Sequence, residues 1–128
     1  MERKITGIAS FMGITAIILG AFGAHALKKQ LSIDQLNSFE IGVKYQMYHA
    51  LFLLLVANNF LISNKTKKAI CLLVILGVIF FSGSLYIIST KTITGIDFKF
   101  VGAVTPIGGG ILIAAWGVLF WRICKVKR

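Results

Sequence analysis

Acid is what this sequence has least of. Four of its 128 residues are Asp or Glu, against 14 Lys and Arg, and Glu2, Asp34, Glu40 and Asp97 all fall outside the long apolar stretches. Without a buried carboxylate, no Ser-His-Asp constellation can be completed around Ser82, Ser84 or the two His. The carboxylates that usually couple protons or cations to transport are missing for the same reason. No catalytic residue is assigned. Cysteine is also scarce, at two residues. Cys71 and Cys124 are both expected at a cytoplasmic edge, where thiols stay reduced, and two thiols with no His beside them do not make a metal site. Long polar segments are lacking too, so a separate soluble domain has no room.

What is present is apolar. Hydrophobic residues make up 57% of the chain and the mean hydropathy is +0.86, which excludes water as the main solvent. Four runs, 5–27, 45–64, 69–90 and 100–121, contain no charged residue. Each is long enough to cross a hydrocarbon core of roughly 30 Å as a helix. The expected fold is an all-α membrane protein, a four-transmembrane-helix up-down bundle forming one domain over 1–128. Between the first two spans, Ser32 with Gln35 three residues on is a capping-box signal. The apolar stripe Leu36, Phe39, Val43 beside Asp34, Asn37, Glu40 and Lys44 then predicts a short amphipathic helix at the interface, either separate from the second span or continuous with it.

The amino end imitates a secretory signal, with Arg3 and Lys4, an apolar core and Ala24-His25-Ala26. The uncharged run is too long for most signal cores, and Ala9, Gly13, Ala16, Gly20, Gly23 and Ala24 suit close helix packing, so a retained span is expected. Basic residues set the topology. Arg3, Lys4, Lys65, Lys67, Lys68, Arg122, Lys125, Lys127 and Arg128 fall on one side, and Lys28, Lys29, Lys44, Lys91 and Lys99 on the other. The nine-to-five division puts both termini in the cytoplasm of an inner, or cell, membrane. Charge distributed over loops is a topology signal and predicts no nucleic-acid partner. The lipid bilayer is the expected partner, with anionic lipid at the basic C-terminal tail; protein partners and oligomeric state are unassigned.

Polar residues within the runs carry the functional clue. His25 closes the first; Tyr45, Gln46, Tyr48 and His49 open the second; Ser82, Ser84 and Tyr86 close the third; and Thr105 and Pro106 open the fourth. Counting about 1.5 Å per residue from the run ends places His25 about 3 Å, His49 and Tyr86 about 6 Å, and Ser84 and Thr105 about 8 to 9 Å below the outer surface. Unpaired polar groups are costly in hydrocarbon, so one cluster is expected, hydrogen-bonded internally or to a ligand. Ser82, Gly83 and Ser84 suggest close helix approach. Pro106 with glycines 108 to 110 predicts a weak point in span four, and Trp121 a membrane-belt residue.

Four ordered motifs, GAFGAH at 20–25, YQMYH at 45–49, FSGSLY at 81–86 and TPIGG at 105–109, resemble those of the small membrane-protein family called domain of unknown function 423, which includes YwdK-like and YgdD-like proteins and vertebrate transmembrane protein 256. Ala26 and Ala115 stand where many relatives have glycine. The resemblance implies a four-span inner-membrane protein and no established biochemical role. On the residues, the leading reading is a non-enzymatic accessory or small-ligand and lipid-binding bundle. A small permease or channel, with span four as gate, is the alternative, and a haem or metal protein using His25 and His49 as ligands is a third. No cofactor is assigned.

Overall fold

The computed structural model describes residues 1–127 and is helical throughout its regular elements. Helix α1 spans Glu2–His25, α2 Ile33–Ala57, α3 Asn64–Ser89, α4 the single turn Lys91–Thr94, and α5 Val101–Cys124. A 3-10 turn, Leu27–Lys29, links α1 to α2. Three helices, α1 with its following turn, α3 and α5, are long and apolar enough to cross a membrane. Helix α2 is as long but carries Glu40, Lys44, Gln46 and His49 along its length.

The capping box forms: Gln35 donates its backbone N–H to Ser32 Oγ at 3.2 Å, and Ser32 N–H donates to Gln35 Oε1 at 3.0 Å. What it starts is not a separate short helix but one continuous with the run that follows. Residues 33–44 are the first half of one unbroken 25-residue helix. The apolar stripe explains this, because Phe39 is buried with Leu27 and Leu31 while Leu36 and Val43 pack beside it, so the segment adheres to α1. Gly20 and Gly23 make the approach possible: a Cβ on Gly23 would stand 2.9 Å from the Phe39 ring, and one on Gly20 3.3 Å from Val43.

The segment SNKTKK, 63–68, reads as a tight turn in the sequence, but the turn lies at 58–63. Ser63 caps α3 by accepting from Thr66 N–H at 3.3 Å, which draws Lys65, Thr66, Lys67 and Lys68 into the first turns of α3. Lys67 is 2% exposed; its ammonium donates to the Ala57 carbonyl at 2.7 Å and pairs with Glu2 at 2.9 Å. One cation thus closes the last turn of α2 and ties down the start of α1.

Helix α5 shows no break. It continues through Pro106 and the glycines to Cys124, since Pro106 lies only in its second turn and removes a single donor, the one for the Gly102 carbonyl. Gly108 serves packing: a Cβ there would lie 2.3 Å from the Phe81 backbone nitrogen, so α3 and α5 meet backbone to backbone. Gly77 on α3 likewise receives Leu112. Gly83, by contrast, has nothing within 4 Å. Gly95 ends α4 in the left-handed region at φ 71°, the conformation glycine adopts most readily. Successive long helices pack in a row, α1 on α2, α2 on α3 and α3 on α5. The core is formed by Ile5, Ala9, Leu53, Val56, Ile70, Val74, Leu112 and Ala115, among others.

Candidate polar network and aromatic groove

The residues expected in one cluster divide between two sides of the α2–α3 pair. On the side of α1, Gln46 is buried and forms three hydrogen bonds. Its Nε2 donates to the Met12 carbonyl at 3.0 Å and to Thr15 Oγ1 at 2.7 Å, and its Oε1 accepts from the Tyr86 hydroxyl at 2.8 Å. Ser82 donates to the Gly42 carbonyl at 2.7 Å. A backbone carbonyl already inside a helix thus takes a second donor from the neighbouring helix. Tyr86 lies over Gly42, where a Cβ would be 2.8 Å from its ring, and packs on Phe39 at 5.1 Å between centroids.

On the side of α5, His49 is 4% exposed. Its Nδ1 is 2.7 Å from the Tyr45 carbonyl and its Nε2 is 3.1 Å from Trp116 Nε1. Indole N–H can only donate. Nε2 must therefore accept, which leaves the proton on Nδ1, shared with the Tyr45 carbonyl. The ring is held neutral in one tautomer with both nitrogens engaged. Trp116 stacks on Phe52 at 4.0 Å, and Tyr45 packs on Phe81 at 4.8 Å. Tyr45, His49, Phe81, Gly109, Leu112, Ile113 and Trp116 enclose a groove of about 300 Å³ between α2, α3 and α5. Ser84, hydrogen-bonded to both the Phe81 carbonyl and Thr105 Oγ1, clips α3 to α5.

Three of the expected residues do not join these contacts. His25 is exposed on the last turn of α1 beside Lys28 and Lys29, because Gly23 is the residue of that turn facing Phe39. It shares no neighbour with His49, so the two do not form a ligand pair. Tyr48 is exposed and touches only the Tyr45 ring among the aromatic pairs. Pro106 is exposed on α5. Among the described residues no group of three His, Cys, Asp or Glu is arranged to hold a metal ion. Cys71 is buried and Cys124 exposed, both as free thiols. Trp121 is exposed and lies under the Lys125 ammonium at 4.2 Å.

Sequence reasoning missed Trp116, Thr15 and the Lys67–Glu2 pair. Trp116 was legible in part: Gly109, Leu112 and Trp116 recur at helical spacing, placing the indole on the face that meets α3. Thr15 had no signal beyond being a hydroxyl in mid-span.

A helical chain with apolar outer faces and polar side chains spent on joining its helices defines an integral membrane protein. The family model described as protein of unknown function (DUF423) matches residues 19–109, and the chain belongs to that family. It is 38% identical over 122 residues to a UPF0382 membrane protein of Staphylococcus saprophyticus, covering 93% of this chain and 95% of the relative. It is 37% identical to the UPF0382 membrane protein YwdK of Bacillus subtilis over 85% of this chain and 86% of that one. To the UPF0382 inner membrane protein YgdD of Escherichia coli it is 29% identical, over 99% and 94%. No solved structure matches the chain.

Proposed function

We propose that the chain is a non-enzymatic four-span bundle, with α1 retained and both termini cytoplasmic, that binds a membrane-dissolved apolar ligand in the groove between α2, α3 and α5. In this reading α2 is the fourth span, its Gln46 and His49 turned into the bundle and its Leu51 and Leu55 outward. The groove carries the proposal. Its walls are aromatic and aliphatic and it is open on one side, while its one buried polar ring, His49, is already satisfied by Tyr45 and Trp116. Such a lining selects apolar bulk rather than charge. The Tyr45 hydroxyl at the rim is free of protein partners among the described residues and offers one hydrogen bond to a ligand's polar end.

The His49–Trp116 bond gives the walls a fixed shape, since truncating either partner frees the other ring. Ile113 tests the groove without disturbing the core, because it is 74% exposed and lines the opening. Native mass spectrometry of the protein extracted with its own membrane lipids should find a small apolar ligand retained by the natural chain and lost from Ile113→Trp, with the thermal midpoint unchanged. Equal retention by both proteins would reject the groove as the site.

A further inference from the structure

A second cavity lies away from the groove, where α3 passes through α4 into α5. It holds about 180 Å³ and combines Lys91, Asp97 and Lys99 with an apolar wall that includes Ile87, Ile88 and Phe98. One observation distinguishes it from an ordinary loop surface. The sole ion pair among the described residues is Lys67 with Glu2, so Asp97 is paired with neither lysine. Val101 and Gly102, at the start of α5, complete the lining.

We infer that this cavity is a headgroup site for a zwitterionic phospholipid. Lys91 and Lys99 take the phosphate, Asp97 takes the headgroup ammonium, and an acyl chain descends along Ile87 and Ile88. The chemistry matches part by part. Phosphate is what two neighbouring lysines bind together. A carboxylate beside them repels a purely anionic headgroup and attracts an ammonium. An aliphatic wall at the end of a membrane-length helix is where acyl carbon must lie. The site is independent of the aromatic groove, and Ile113→Trp should leave it intact.

The test is native mass spectrometry of the full chain in nanodiscs of equal phosphatidylethanolamine and phosphatidylglycerol. The natural protein should retain phosphatidylethanolamine in preference. The double variant Lys91→Gln, Lys99→Gln should lower retention roughly thirtyfold, the order expected for two interfacial charges. Asp97→Asn, at an exposed loop position, should keep the lipid but shift the preference toward phosphatidylglycerol, and this reading stands even if the double variant folds poorly. Unchanged retention in a folded double variant, or an unchanged lipid ratio in Asp97→Asn, overturns the assignment. Displacement of the lipid by millimolar inorganic phosphate as readily as by a short-chain phospholipid overturns it too, by marking a site for the free anion.

Discussion

Gln46 reaches α1 through two donated hydrogen bonds and α3 through one accepted bond, so a single side chain on α2 joins three helices. In an apolar medium each such bond contributes on the order of 1 kcal/mol. Their removal is coupled, because the partner left behind is stranded. Tyr86→Phe should destabilise the bundle by about 1 kcal/mol and Gln46→Leu by roughly 2–3 kcal/mol. Once Gln46 is gone, Tyr86→Phe should cost almost nothing further. Thermal unfolding of the four proteins of this cycle in one detergent measures it, and strictly additive losses would show that the two side chains do not interact. Tyr86 and Gln46 were singled out in the sequence as polar residues within apolar runs, yet their pairing was not legible there. Depth along a helix follows from counting residues, whereas the side of a helix that meets a given neighbour depends on where small residues let that neighbour approach.

At the scale of elements, glycine placement fixes which faces meet. Gly83 lies in a motif read as a point of close approach and Gly108 in one read as a weak point, and the structure reverses the two. Gly108→Ala forces a methyl group against the Phe81 backbone, which cannot move alone, and should cost about 3 kcal/mol or more by parting α3 from α5. Gly83→Ala meets open space and should be neutral or slightly stabilising, since alanine favours the helix by up to about 1 kcal/mol. Unfolding midpoints that fell equally in both variants would contradict this contact pattern. The same packing explains why the expected weak point of α5 is absent. The three glycines looked like flexibility in the sequence, but one is filled by backbone of α3, and a proline in the second turn disturbs a helix little. The capping box of α2 was fully legible because both of its residues are local. The extension of α2 into a single long helix was legible only as one of two alternatives, since it depends on Phe39 finding Gly23 across the chain.

For the molecule as a whole, the all-helical character came directly from the runs of uncharged residues, and three of the four runs fall in helices long and apolar enough to cross a membrane, whereas α2 spans Ile33–Ala57 rather than the run 45–64. Orientation rests on where Lys and Arg lie. Cys124 is exposed at the end of α5, and Asn37 is exposed near the start of α2. An impermeant thiol reagent applied to intact cells should therefore miss Cys124 and label Asn37→Cys in a Cys71→Ala background, with both reacting after permeabilisation. The opposite pattern would invert the bundle. Lys67 shows the limit of charge counting: one of the nine cations counted for the proposed cytoplasmic side is buried against Glu2 and the Ala57 carbonyl, so its charge is committed to folding.

The row of helices also bears on how the protein is made. Each long helix after the first packs on the one before it in the chain, α2 on α1, α3 on α2 and α5 on α3, and α3 gains its larger partner when α5 follows. As the nascent chain leaves the ribosome, every new segment therefore finds one of its partners already made. Assembly can follow synthesis step by step without waiting for the carboxyl end to close a ring.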